Sequence, residues 1–480
     1  MSTPAAGNAT RRIAGNTALQ AAADGLGKLG TIVLYAVLAR EAGVAAFGDF
    51  TTAASLSVLV MVAAFGMDFR VTRLVAQGDP DVGPSIWGAV LLKLAGGTAI
   101  LLVVCGIAAL GPYSDRVVAT TAVLGLAMIV ELTTMTPHAV FRGHEDLRPV
   151  ALALLLYRGL LSVLGVAVLL AGGSILLVAV GWLLGALAGL AYTLLRARRA
   201  GLRHPFVVTR AGLRAVATDS LGLGLAAVLG AALSRLDIVL LGALKDSEAV
   251  ALYGGAYRLM ESTFFITSAL ALSAFPALSR LTRTSTPSLG EAVALTTKAV
   301  LVTTVPLAVG FVAYAEPVLV AIYGDGLRDA TGTLQILGVL VITTGIYSLM
   351  AFVLTSQQAQ RPIVVALVVT TVLNVGANLA LIPSMGAEGA AWSWAATTTV
   401  LAAMLLVAVL RDAGRVPVLR TVEGPLLGGL AMVAVAVATG AHAWGIPLAG
   451  AAFAVVLVTV ERRRHPDDAV RLRLARPRGA

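Results

Sequence analysis

The sequence predicts an all-α integral membrane protein of about fourteen transmembrane helices, and three observations carry that prediction. Apolar runs long enough to cross a bilayer recur along nearly the whole chain. The cations collect in alternate loops. A pattern of residues in the first half returns in the second.

Of 480 residues, 58% are hydrophobic and 12% charged, against roughly 25% charged in an ordinary soluble domain. A hydrocarbon layer of about 30 Å needs about 20 apolar residues per helix. Reading runs bounded by charge, Pro or Gly gives six spans in the first half: Thr17 to Leu38, Ala45 to Met67, Ile86 to Leu110, Val117 to Thr136, Val150 to Leu170 and Ile175 to Leu195. Six more follow: Leu221 to Leu244, Val250 to Leu272, Ala299 to Tyr314, Leu334 to Leu354, Ile363 to Ile382 and Gly389 to Leu410. Pro425 to Trp444 and Ile446 to Val460 complete the set. Arg11 and Arg12 precede a run too long for a signal-peptide core, so the first span is expected to be kept.

Loop charge sets the orientation. Of 35 Lys and Arg, 26 fall in one set of alternate loops, and the opposite set holds only Arg40, Arg116, Lys245 and Arg328. Because cytoplasmic loops hold the excess of cations, both termini are expected in the cytoplasm of a multi-pass cell-membrane protein. The same placement argues against nucleic acid as the partner of the +10 net charge. The longest basic loop, Arg196 to Asp219, reads as a headgroup-facing linker. It divides the chain into an N-terminal six-helix lobe (1–215), a C-terminal lobe (216–415), a helix pair (416–460) and a basic cytoplasmic tail (461–480).

Echoes cross that divide. Arg148-Pro149 and Arg361-Pro362 each open a span and lie 213 residues apart, the offset that also relates Gly173 to Gly386. Val44 to Gly48 (VAAFG) resembles Val250 to Gly254 (VALYG). Together they imply two halves of one orientation, a parallel pseudo-repeat about an axis along the membrane normal.

One cysteine, Cys105, allows no disulfide framework or thiolate cluster. His138 and His144, six residues apart, lie on different helix faces and form no ligand set.

Several blocks resemble the polysaccharide (O-antigen and exopolysaccharide) flippases of the multidrug/oligosaccharidyl-lipid/polysaccharide exporter superfamily. They are Leu236 to Gly242 (LDIVLLG), Val250 to Leu259 (VALYGGAYRL), Phe275 to Leu281 (FPALSRL), Glu316 to Gly324 (EPVLVAIYG) with Leu334 to Leu337, and Leu373 to Pro383 (LNVGANLALIP) leading to Gly386 to Ala391. The resemblance implies two lobes around a central cavity. It also implies alternating access that moves an undecaprenyl-diphosphate-linked oligosaccharide outward among membrane lipids, with polysaccharide polymerase and glycosyltransferases as partners and no cofactor.

The candidate site residues are the ionisable ones within spans: Lys28, Lys93, Arg158, Arg235 and Arg258 against Asp24, Glu131, Asp237 and Glu261. At about 2.5 to 3.5 kcal/mol each they cannot all face lipid. Lys93, seven residues into its span, is expected to snorkel to the interface, and Arg158 fits snorkelling and a cavity role equally. Asp24 with Lys28 (i, i+4) and Arg258 with Glu261 (i, i+3) can pair on one face. Arg235 and Asp237 point about 200° apart, so they cannot simply neutralise each other. Arg258, Arg235, Lys28 and Arg158 are therefore the candidates for a lipid diphosphate, whose oxygens match the guanidinium fork. Asp24, Asp237, Glu261 and Glu131 are the candidates for ion coupling or charge pairing. Asn374 and Asn378, like Trp182, Trp392 and Trp394, read first as packing or interface residues.

A membrane glycosyltransferase would need catalytic groups in a substantial outer loop, and the one such loop, Glu316 to Gly332, holds no paired-carboxylate motif. A drug/cation antiporter would favour carboxylates, whereas intramembrane cations outnumber them five to four. A lipid II flippase is the nearest rival reading.

Overall fold

A backbone in hydrocarbon must satisfy its own N–H and C=O groups, and this chain does so with helices. The computed structural model describes residues 4–264 apart from 65, 80–81 and 203, and residues 286–465 apart from 358 and 414–416. The block Phe275 to Leu281, the inner end of the eighth expected span and the tail from 466 onward lie outside the described residues.

The helices are α1 (Pro4–Glu41), α2 (Val44–Val58, continued by a 3-10 turn Leu59–Ala64), α3 (Met67–Ala76), α4 (Gly83–Leu110), α5 (Asp115–Gly143), α6 (Arg148–Leu170), α7 (Ile175–Arg199), α8 (Arg210–Leu244) and α9 (Ser247–Ser262). Then come α10 (Thr286–Ala313), α11 (Ala315–Tyr323), α12 (Thr331–Ser356), α13 (Gln360–Ala413), α14 (Val418–Ala438) and α15 (Gly445–Arg464). Among the described residues, 11 segments are long and apolar enough to cross a membrane. One of them, Gln360–Arg411, has 52 residues, and its helix breaks at Gly386 (φ 56°, ψ −126°), so it supplies two passes. The seventh and eighth expected spans fall on α8 and α9.

Several boundaries differ from the sequence reading for physical reasons. The fourth span runs through Pro137 rather than stopping before it. In a helix whose neighbours supply donors, the break is tolerated, and Lys93 Nζ donates to the Leu132 carbonyl in the turn that Pro137 weakens (3.3 Å). The segment from Glu316, expected as an outer loop, is not an open loop. It forms α11 and a 3-10 turn, with Leu319 and Tyr323 buried and Tyr323 Oη donating to the Gly255 carbonyl at 3.2 Å. The basic linker is helical at both ends, leaving only residues 200–209 between α7 and α8.

The Arg-Pro pairs both stand at helix starts, of α6 and α13. The glycine echo is shifted by one, because the left-handed residue in the α6–α7 turn is Gly172 (φ 73°), not Gly173.

The chain divides into two compact units, Met1–Ala251 and Leu252–Ala480. The first therefore includes α8, beyond the expected divide at 215. There the N-terminus of α8 is tied to α3: Asp219 pairs with Arg70, and with Arg73 Nη2 at 3.1 Å. Farther along, Tyr113 Oη donates to the Val239 carbonyl of α8 at 2.9 Å.

Glycines set the helix spacing where lipid offers no hydrophobic drive for association. Gly181, Gly185 and Gly189, four residues apart on α7, face α6, and a Cβ at Gly185 would lie 2.8 Å from the Tyr157 carbonyl oxygen. Gly185→Leu is expected to force α6 and α7 apart and to cost about 1–3 kcal/mol. Thermal unfolding of the purified protein in detergent checks it, with Gly159→Leu, at a position with open space, as the control.

In the second unit, Lys298 of α10 pairs with Glu461 of α15 at 2.6 Å, and Glu461 also closes against Gly424 of α14. Glu423 holds Arg464 and His465. The first contact ties α15 to α10, and the others tie α14 to α15 at the same end.

Candidate substrate and coupling site

The intramembrane charges separate into sealed pairs and accessible pairs, and that difference sorts their roles. Lys93 does not snorkel: its side chain is 0% exposed and pairs with Asp68 at 2.6 Å, with the Leu132 carbonyl at 3.3 Å and Thr136 Oγ1 at 3.0 Å completing its contacts. Thr136 also donates to Asp68 (3.3 Å). A buried ammonium with three acceptors, one of them a partner of opposite charge, is a structural element, since removing either ion strands the other. Asp68 was missed because it sits outside the apolar runs, at the start of α3. Met67 before it and Val71 after it are buried, and this anchors the first turn of α3 against α5 and carries the carboxylate inward.

Arg158 instead reaches Asp24 across helices, α6 to α1, with Nη1 at 3.1 Å from Oδ1. Its stem lies over Gly27, where a Cβ would be 2.3 Å from Cδ, and Ser162 one turn on sits against Gly30. Small residues on α1 thus let the arginine cross the interface. The pair remains accessible, at 24% and 35% side-chain exposure. The i, i+4 partner expected for Asp24 was Lys28; the partner described is 134 residues away, a separation no local spacing reveals. Lys28 is half-buried on the same helix, one turn beyond Asp24.

Glu131 of α5 takes its hydrogen bond from a neutral side chain. Tyr157 Oη donates to it at 2.9 Å, and Trp182 Nε1 of α7 donates to Tyr157 Oη at 2.6 Å. Trp182 is therefore part of a polar chain as well as a packing residue. On α8, Asp237 is buried (1% exposed) and Arg235 half-buried, so the two do lie on unlike surroundings of one helix.

In the second unit, Arg258 pairs with Glu261 at 3.1 Å, as their i, i+3 spacing implied, and both are partly accessible (21% and 25%). The helix is anchored beside this pair: Tyr253 and Tyr257 are buried and stack on each other, and Tyr257 meets Trp394 edge-on. Asn374 and Asn378 are fully buried. Asn378 donates to Asn374 Oδ1 (3.1 Å), and Ser393, in the second arm of α13, donates to the Asn374 carbonyl (3.2 Å). They pack the two arms of α13 together. Among the described residues no three His, Cys, Asp or Glu are grouped to hold a metal.

The sequence matches two family profiles: polysaccharide biosynthesis protein over residues 13–282 and lipid II flippase MurJ over residues 152–461. No curated protein matches the sequence significantly. Among solved structures, the chain is similar to a lipid II flippase MurJ in an inward closed conformation, with a TM-score of 0.76, 13% identity and coverage of 94% of this chain and 99% of that one. It is similar to an inward-facing multidrug resistance MATE family transporter of the MOP superfamily (TM-score 0.64, 16% identity, 81% and 93% covered). A MOP superfamily transporter from Pyrococcus furiosus with a binding pocket of reversed polarity gives 0.56 at 16% identity, with 84% and 94% covered. At these identities the structures show the all-helical fold, and the profiles show the family. Each profile spans more than half of the 480 residues, so the chain belongs to the family shared by the polysaccharide biosynthesis proteins and the lipid II flippase MurJ.

Proposed function

We propose that the protein carries an undecaprenyl-diphosphate-linked oligosaccharide from the cytoplasmic to the outer leaflet by alternating access. The observation that supports this reading most is the accessible Arg258–Glu261 pair on a rigidly anchored helix. A sealed pair such as Lys93–Asp68 has no exchangeable partner. A guanidinium paired with a carboxylate and still reached by solvent can trade that partner for a diphosphate, which offers more charge and more oxygens to the same fork. Arg158, whose described contacts all use Nη1 to Asp24, offers the same exchange in the first unit. Arg235 and Lys28, both half-buried, are further headgroup candidates. Asp24 holds Arg158 and Glu261 holds Arg258 in the unloaded state, with Asp237 a further candidate for charge pairing or ion coupling. Polymerase and glycosyltransferases would act on the same lipid-linked sugar on either side of the step.

The match to the lipid II flippase profile favours a second substrate, since lipid II shares the undecaprenyl diphosphate and differs in the attached saccharide-peptide. A deletion strain separates the two. Loss of the protein should leave a lipid-linked oligosaccharide on the inner leaflet with peptidoglycan synthesis intact, whereas arrest of cell-wall synthesis with lipid II accumulation would replace the first reading by the second.

The orientation has its own test. With Cys105 replaced and single cysteines placed in residues 200–209, an impermeant thiol reagent should label them only after the cells are opened. Labelling from outside intact cells would invert the assignment and put both termini outside.

A further inference from the structure

Within the first unit, α5, α6 and α7 enclose a cavity of about 70 Å³. Since a water needs about 10–15 Å³ of such volume, it has room for several. Glu131, Thr134 and His138 of α5 and Tyr157 of α6 line it, and Ala186 and Gly189 of α7 leave the space open. The polar groups are oriented. Trp182 donates to Tyr157 and Tyr157 to Glu131. Thr193 spends its hydroxyl proton on the Gly189 carbonyl (2.8 Å), so its oxygen accepts from His138 Nε2 at 3.1 Å. In the neutral imidazole that leaves Nδ1 as the basic nitrogen.

Glu131 and His138 are seven residues apart, hence on one face of α5 and about 10 Å apart along its axis. His138 is five residues from the end of α5 that adjoins α6, and Glu131 is twelve. The cavity therefore joins a mid-span carboxyl to an imidazole one to two turns from the helix end.

We infer that Glu131 is a proton-exchange site, loaded through the His138 end of this cavity, and that its proton governs the Arg158–Asp24 pair. The step transfers one proton from water at the helix end to His138 Nδ1, and from there through cavity water to a carboxylate oxygen of Glu131, with release along the reverse or the opposite route. Arg158 adjoins Tyr157 on α6, near enough for its charge to act on Glu131. A protonated Glu131 leaves Arg158 to Asp24. A carboxylate there competes for the guanidinium, loosening the pair that the proposed function assigns to the lipid diphosphate; the coupling rests on that assignment.

Of the other charged groups around α5, Lys93 and Arg142 are near enough for their charges to act on His138 and so keep it a transient carrier of the proton, which Glu131 stores. Lys93 of α4 pairs with Asp68 of α3, Asp49 of α2 accepts from Ser247, and Arg142 stands one turn past His138 on α5 itself. From α7 come Trp182 and Thr193, which carry no charge.

The test uses the full-length protein reconstituted in lipid vesicles. Infrared difference spectra between low and high pH should contain one carboxyl band that Glu131→Gln removes and that Tyr157→Phe shifts in frequency. With lipid-linked oligosaccharide in the same vesicles, an imposed gradient of about one pH unit should bias the sugar's distribution between leaflets about tenfold for one proton per cycle. It should produce no bias in Glu131→Gln. Difference spectra unchanged by Glu131→Gln, or an undiminished gradient response in that variant, would overturn the inference. A Glu131 band that titrates in a protein moving no lipid-linked sugar would uphold the proton site and overturn its coupling to that substrate.

Discussion

Arg258→Ala should leave the protein folded and inserted yet reduce export of the lipid-linked sugar by roughly a hundredfold. The charge-assisted hydrogen bonds lost are worth about 1.5–3 kcal/mol, and each 1.4 kcal/mol is about tenfold. The fold survives because Glu261, left without that partner, is 25% exposed and water can solvate it, while Tyr253 and Tyr257 still anchor α9. Arg258→Lys keeps the charge and loses the fork, so partial export, within about tenfold of wild type, is expected. Measured as precursor accumulating on the inner leaflet at matched expression, full export by Arg258→Ala would reduce the pair to a structural contact.

Lys93→Ala should do the opposite and remove the protein. Its loss leaves Asp68, only 13% exposed, as an uncompensated ion inside the helix bundle, a change that costs about 3–5 kcal/mol against total stabilities of about 5–15 kcal/mol. Detergent-solubilised Lys93→Ala should elute as aggregate or unfold many degrees below wild type. The double variant Lys93→Met with Asp68→Leu should recover most of that loss, because the desolvation penalty disappears with the charges. An unaltered melting temperature for Lys93→Ala would show that the buried pair contributes nothing.

The contrast between these two lysine and arginine positions marks how far the sequence carries. The helical class and the order of the apolar segments were legible because hydrocarbon permits little else and because the apolar runs are long. The Arg258–Glu261 pair was legible because it is local, i and i+3. Lys93 was misread as a snorkelling residue: its depth from the helix start was counted correctly, but its partner Asp68 lies on a short helix that reads as loop. Arg158 and Asp24, 134 residues apart, and Tyr157 with Glu131 are tertiary pairings without local spacing. One signal for them was present and unused, the Gly181, Gly185, Gly189 row, which announces that α6 comes close enough to α7 for Tyr157 to meet Trp182. The polar chain around Glu131 follows from that approach.

The proposed function requires this chain by itself to move a lipid-diphosphate-linked oligosaccharide across a bilayer. Purified protein in vesicles carrying a fluorescent undecaprenyl-diphosphate oligosaccharide, with a membrane-impermeant quencher added outside, measures that directly. The account predicts that fluorescence protected from the quencher becomes accessible at a rate that rises with wild-type protein and falls to the protein-free rate with Arg258→Ala. A rate equal to that of protein-free vesicles for the oligosaccharide-linked lipid, beside rapid transfer of lipid II in the same vesicles, would contradict it.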